Sequence, residues 1–347
     1  MLEDQDLQEE SGDLYEHHHI KVDKGQTPIR IDKFLMDRLM NASRNKIQNA
    51  ARAGNILVNG VEIKPNYKTK PEDEISIVMA FPPRDVEIIP QNIPLDIIYE
   101  DDDLLLINKQ AGMVVHPGHG NYDGTLVNAL TYYLRELSPT KNPEAHPYLV
   151  HRIDKNTSGI LLVAKNEIAQ TKIAKGFFDH TIQRKYQALI WGTPKEESGT
   201  ITGHIGRSLK NRLVMTIFPD GDYGKDATTH YKTLKSFGYV SLVECQLETG
   251  RTHQIRAHFK YIGHPLFNDA TYGGDLILKG TTFTKYKQFI QNCFKILPRQ
   301  ALHAKYLGFI HPTTHKFIEF DSELPEDMQL AISKWEQYAN QGMTEME

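Results

Sequence analysis

The chain has 347 residues, 39% of them hydrophobic and 24% charged, which is enough to bury a full core and to build two domains. No apolar run approaches the roughly 18 residues that cross a bilayer, and the N-terminus is acidic, so neither membrane insertion nor secretion is expected. Cys245 and Cys293 stand far apart without disulfide or metal-ligand spacing, which fits a reduced, cytoplasmic setting.

The formal net charge of −4 conceals an asymmetry. Residues 1–26 carry eight acids against Lys21 and Lys24, a net of −6, and show no hydrophobic period; they read as a disordered leader. Between Arg30 and Lys70, nine basic side chains face only Asp32, Asp37 and Glu62, a net of +6. Such a field suits phosphate, and a solvated helix face has the same composition.

From Arg30 the spacing of Ile31, Phe34, Leu35 and Leu39 predicts a helix. Ser43 is placed to cap a second one, with Ile47, Ala50 and Ala51 inward, Arg44, Lys46 and Arg52 outward, and Gly54 as its stop. Ile56–Val58 and Val61–Ile63 read as strands joined by the tight-turn dipeptide Asn59-Gly60. The runs RIDKFL, SRNKIQNAARAGNILVNG and EDEISIV together resemble the S-four type RNA-binding domain, over residues 27–80. The charge placement makes Arg44, Lys46 and Arg52 its expected RNA contacts; a helical cap without RNA contact is the plainer reading.

Residues 81–94, punctuated by prolines, read as an extended linker. A second domain is expected over 95–335, with a tail at 336–347. Its strands are expected at Leu95–Tyr99, Leu104–Lys109, Leu161–Ala164, Tyr186–Trp191, Ala227–Leu234 and Tyr239–Leu247. Helices are expected at Leu126–Leu134 and Ile168–Phe178. Strands and helices mix without regular alternation, so the fold class is α+β around a largely antiparallel sheet, preceded by the small α/β domain.

Chemistry concentrates in two stretches. His151-Arg152-Ile153-Asp154-Lys155-Asn156-Thr157-Ser158-Gly159 lies between apolar runs, where a rigid scaffold can present reactive groups. One carboxylate among cations stays ionised at neutral pH, which suits a nucleophile or general base better than an acid. By residue type alone a solvated surface loop fits equally. Thr249-Gly250-Arg251-Thr252-His253-Gln254-Ile255-Arg256-Ala257-His258 offers a tight turn and planar guanidinium forks for carboxylate or phosphate, or simply a basic helix start. In Arg184-Lys185-Tyr186-Gln187-Ala188-Leu189, Tyr186 could stack on a base or serve the core.

These stretches, with PQNIPLDIIYEDDDLLLINKQAGMVVHPG, GHPLFNDATYGG and RQALHAKYLGFIHP, resemble the RluA/RluD family of RNA pseudouridine synthases in order over residues 90–330. The order is closer to the RluD type, which modifies large-subunit ribosomal RNA. The resemblance implies Asp154 as the catalytic aspartate and Arg152 as the arginine that enters the space of the flipped uridine. It implies Tyr186 as the aromatic stacked on the target base and Arg256 as the partner of Asp154. Base flipping costs a few kcal/mol, which stacking and gap filling offset. Attack on the sugar and abstraction of a ribose proton remain equally open for Asp154. Neither route calls for a metal or organic cofactor, and the expected partners are ribosomal RNA or pre-ribosomal particles rather than DNA or membrane. Gln110, Ile153 and Asn268 depart from the family pattern, and Gln110 and Asn268 bear on the shape of two loops. The competing readings are a catalytically silent RNA-binding ribosome-assembly factor and a metal-dependent nuclease, for which Asp101-Asp102-Asp103 looks instead like a turn.

Overall fold

The computed structural model describes residues 15–39, 42–79, 88–117, 123–139, 145–208 and 214–344. The chain divides into two compact units, Met1–Glu87 and Ile88–Glu347.

In the first unit, β1 (Tyr15–Lys21), α1 (Ile31–Met36), α2 (Arg44–Arg52), β2 (Ile56–Val58), β3 (Val61–Glu62) and β4 (Glu74–Met79) follow in order. Four strands make one antiparallel sheet in the order β1-β4-β2-β3. Both helices lay their apolar faces on it: Ile31, Phe34, Leu35, Ile47 and Ala51 are buried with Ile56, Val58, Ile75 and Ile77. The hairpin turn is as expected, with Asn59 and Gly60 both at positive φ, 52° and 78°.

The leader expectation fails over residues 15–26. Tyr15–Lys21 forms an edge strand paired with β4, and Val22 behind it is completely buried. Net acidity masked the signal: Ile20 and Val22 alternate as a half-buried strand requires, but only two apolar residues carry the pattern. Residues 1–14 lie outside the described residues.

The second unit begins before the expected boundary at residue 95. Ile89 accepts a hydrogen bond from the Asn128 side chain at 2.9 Å, and the Gln91 amide donates to the Asn128 carbonyl at 3.1 Å. Its elements are β5 (Ile97–Glu100), β6 (Leu104–Lys109), α3 (Leu126–Tyr132, extended by a π turn at Tyr133–Leu137), β7 (Tyr148–Leu149), β8 (Ser158–Ala164) and α4 (Glu167–Phe178). There follow β9 (Gln183–Trp191), β10 (Ser198–Arg207), β11 (Met215–Phe218), β12 (Lys225–Ser236), β13 (Val240–Leu247) and α5 (Gln254–Tyr261). The last elements are α6 (Thr284–Ile296), β14 (Leu302–Ile310), β15 (Phe317–Asp321) and α7 (Glu326–Thr344).

One eleven-stranded sheet runs β11-β10-β12-β13-β9-β14-β8-β6-β5, with β15 on β14 and β7 on β8. Every pair is antiparallel except β14 with β8, so the sheet is largely antiparallel as expected. The centre is covered on both faces, which explains the unbroken apolar runs of β6 and β8. Leu105, Ile107, Leu161 and Val163 meet α3 on one side, and Leu104, Leu106, Ile160 and Leu162 meet α4 on the other. Trp191, Phe267 and Trp335 form an aromatic cluster under α6 and α7. Among the described residues, no helix is long and apolar enough to cross a membrane.

Candidate active site

Asp154 sits in the loop that enters β8, and that loop is held from several directions. Gly159, at φ +114°, is the point where β14 presses closest: a Cβ there would lie 2.3 Å from the Ala304 carbonyl oxygen. Only glycine meets both demands. The residue after the aspartate is anchored through its carbonyl, which accepts from the Gly112 amide at 2.9 Å and from Lys109 Nζ at 3.1 Å. Lys109, fully buried, also donates to the carbonyls of Gln110 and Met113. Burial pushes its pKa down to about 7, with Arg299 adding to the effect and Asp154 opposing it. Arg299 donates to the Asn156 carbonyl at 3.0 Å and is itself forked onto Asp327.

The second stretch opens α5. Gln254, buried, accepts from Thr249 Oγ1 and the Arg251 amide, and donates to the Thr228 carbonyl and Thr229 Oγ1. This closes the Thr-Gly-Arg turn against β12 and aims the first turn of α5 at the Asp154 loop. His253 takes the left-handed conformation at φ 55°, a strained choice for histidine. Its Nδ1 lies 3.1 Å from the Tyr272 hydroxyl, and its Nε2 lies 3.8 Å from Asp154 Oδ2. Burial lowers its pKa, with the nearby Asp154 carboxylate opposing.

Arg256 links the two stretches. Its Nη1 donates to Asp154 Oδ2 at 3.0 Å, while Nε and Nη2 fork onto the buried Asp269 at 2.7 and 2.9 Å. Against the burial penalty, Asp269 and Asp154 hold the guanidinium above its ordinary pKa. Tyr272 lies under it, 5.0 Å from ring centroid to guanidinium carbon. Asp154 Oδ1 makes no hydrogen bond among the described residues.

All four residues expected in the catalytic site line one cavity of about 510 Å³: Arg152, Asp154, Tyr186 and Arg256. Arg152 is exposed at its wall. Tyr186 is buried beside Ile153, Leu247, Ile255 and Leu302, so it serves the core and the cavity together. Lys109, Asp269, Tyr272 and His253 were not singled out by sequence reasoning, although all lie within the quoted blocks.

The expected RNA contacts of the first unit divide. Arg52 is exposed, and among the described residues its side chain hydrogen-bonds to Asn49. Arg44 is not simply outward: its Nε donates at 2.9 Å to Asp32, a fully buried carboxylate that Arg30 and Gln48 also bind. Arg30, with those partners, holds Asp32 well below the usual carboxylate range. The side chain of Lys46 lies outside the described residues.

His151 Nε2 accepts from the Leu162 amide, and His119 lies outside the described residues. Asp101, Asp103 and His311 approach one another, but Asp101 accepts from Tyr99, His311 and the amides of Asp103 and Leu104, which makes it the turn-former expected.

Residues 103–261 match the family described as RNA pseudouridylate synthase, and residues 29–75 match the S4 domain. An RNA pseudouridine synthase of Chlorobaculum parvum is 46% identical over 91% of this chain and 96% of its own length. The ribosomal large subunit pseudouridine synthase D of Zymomonas mobilis is 42% identical over 87% of this chain and 92% of its own. The chain belongs to the RNA pseudouridine synthase family. Human RNA pseudouridylate synthase domain containing 1 shares the fold, with a TM-score of 0.51 and 28% identity over 72% of this chain and 89% of that one. The cavity around Asp154 has the dimensions of a small-ligand site. Asn268, where the family pattern has glycine, adopts φ 56° and is tied by its side chain to the carbonyls of Phe294 and Leu297, so that loop keeps a left-handed turn.

Proposed function

We propose that this enzyme isomerises uridines of large-subunit ribosomal RNA in the cytoplasm, with Asp154 as the group that acts on the target nucleotide. The observation that carries the proposal is that Asp154 is the one carboxylate among the residues lining the cavity, tied to Arg256 through a single oxygen. The name of the Zymomonas relative supports the ribosomal target. The reaction breaks the C1′–N1 bond, forms C1′–C5, releases the C5 proton and places a proton on N1, so its atoms balance within the nucleotide and water. Asp154 either attacks C1′ or removes the C2′ proton to give a glycal. Arg256 stabilises the carboxylate and fixes its direction, Tyr186 stacks on the extruded base, and Arg152 occupies the space the base leaves. The S4 domain adds phosphate contacts through Arg52 and its basic neighbours.

Tritium release from ribosomal RNA transcripts labelled at uridine C5 tests this. The wild-type enzyme releases tritium without chain cleavage, and Asp154→Asn releases none while binding RNA within about tenfold of wild type. Turnover by a clean Asp154→Asn preparation removes Asp154 from its role. Activity on transfer RNA transcripts alone removes the ribosomal target.

A further inference from the structure

Three arginines are buried among the described residues: Arg184, Arg256 and Arg299. Arg256 has Asp269 and Asp154, and Arg299 has Asp327. Arg184 has no carboxylate partner among the described residues. Its Nη2 donates to the Glu248 carbonyl at 3.1 Å, a carbonyl already engaged by His180 Nδ1. Its Nε is closed off from solvent without an acceptor, and its Nη1 finds none among the described residues. Phe177 lies under the guanidinium at 5.3 Å. Burial pushes its pKa below the ordinary arginine value, opposed by the Tyr186 phenol and by no carboxylate among the described residues.

A guanidinium does not give up its proton in a protein, so a buried one without a counter-charge requires an anion from outside. Room for the group is built into the backbone: a Cβ on Gly250 would lie 2.7 Å from Arg184 Nη1, although Gly250 has no positive φ to explain its identity. Arg184 lines the same cavity as Asp154, where four arginines, Arg152, Arg184, Arg251 and Arg256, face that one carboxylate. The wall around Arg184, from Phe177 to His180, adds no acid among its lining residues.

We propose that Arg184 is the anchor for a phosphodiester of the substrate RNA adjoining the target uridine. The inference rests on the reading that the cavity receives that uridine. A phosphodiester fits better than a uracil carbonyl, because only a full negative charge offsets the desolvation of an unpaired guanidinium. With Arg184 on the backbone and Tyr186 two residues along β9 on the base, one strand measures the distance from phosphate to base.

The test uses full-length enzyme and a ribosomal RNA stem-loop that it binds, carrying one uridine labelled with tritium at C5. Arg184→Gln is expected to raise KM and Kd about tenfold while kcat stays within about threefold, and to make the slope of log affinity against log salt shallower by about 1. Arg184→Lys, which keeps the charge and guards against misfolding, restores the salt slope and part of the affinity. A methylphosphonate at one of the two phosphates flanking the uridine weakens wild type as Arg184→Gln does, and weakens Arg184→Gln no further. A loss confined to kcat, an unchanged salt slope, or methylphosphonates that cost wild type and Arg184→Gln equally would overturn the proposal. If wild type binds the stem-loop but releases no tritium, the reading of the cavity fails, and the affinity and salt arms still judge Arg184.

Discussion

Arg256 gives Asp269 two hydrogen bonds and Asp154 only one. Because Asp269 is buried, the fork fixes the plane of the guanidinium and leaves Nη1 as a single donor directed at the cavity. The aspartate proposed to do the chemistry is therefore oriented by one it never touches.

Asp269→Asn loosens that fork, since an amide offers one acceptor atom in place of two. Its kcat should fall about 10- to 100-fold, as expected when a reacting group is misplaced by a fraction of an ångström. Arg256→Ala leaves two acids without a counter-charge and should lose more activity, together with about 3–5 kcal/mol of stability. Tritium release and urea unfolding measure the two effects. Wild-type kcat in Asp269→Asn would mean that Asp154 needs no fixed arginine.

The buried Lys109 makes stability depend on pH. Its folded pKa, near 7, lies below that of an unfolded lysine, about 10.4, so between these values the unfolded chain binds a proton that the native state does not. Unfolding free energy should therefore rise as pH goes from 7 towards 10, and the benefit is absent below pH 7, where both states are protonated. Urea denaturation at pH 6, 7.5 and 9 should show this rise in wild type and not in Lys109→Met. Parallel curves for the two proteins would assign the pH dependence to other groups.

Gly159→Ala should destabilise the second unit by about 3 kcal/mol, because it combines a disfavoured φ with overpacking against backbone that cannot swing aside. Asp154 lies five residues earlier, in the loop that enters β8, so residual activity should fall with it. Thermal unfolding followed by fluorescence of Trp191 and Trp335, both in the second unit, reports the change.

Truncation separates the two parts of the acidic N-terminus. Removing residues 1–26 takes away β1 and the buried Val22, so amides of β4 should exchange with solvent at least about tenfold faster. Removing residues 1–14 should leave them unchanged. Equal protection of β4 after both deletions would show that β1 contributes little to the sheet.

Much of this was legible because the informative segments are locally periodic. Leu104–Lys109 is a strand in full, and the Asn59-Gly60 turn has the torsion angles its residue types demand. Strand β10 was less legible: half-exposed and rich in threonine and glycine, Ser198–Arg207 shows no clean alternation. In the site, the residues named from the family blocks do share one cavity, but their supports were invisible. Nothing in spacing says that Lys109, at the end of an apolar strand, turns inward to three carbonyls, or that Asp269 rather than another acid receives Arg256. Likewise Arg44 has the composition of a surface cation, and only the fold brings it to Asp32.

The position of β14 has a consequence for how the enzyme is made. Asp154 belongs to the half of the sheet built from β5, β6 and β8, while Tyr186 and Arg256 belong with β9 to β13, and Leu302–Ile310 is the strand inserted between them. A ribosome must therefore translate past residue 310 before the halves can be joined. Until then the nascent chain carries the aspartate, the tyrosine and the arginine on pieces that have no common frame. The enzyme becomes competent late in its own synthesis, and truncated products that end before β14 carry the residues of the site without its geometry.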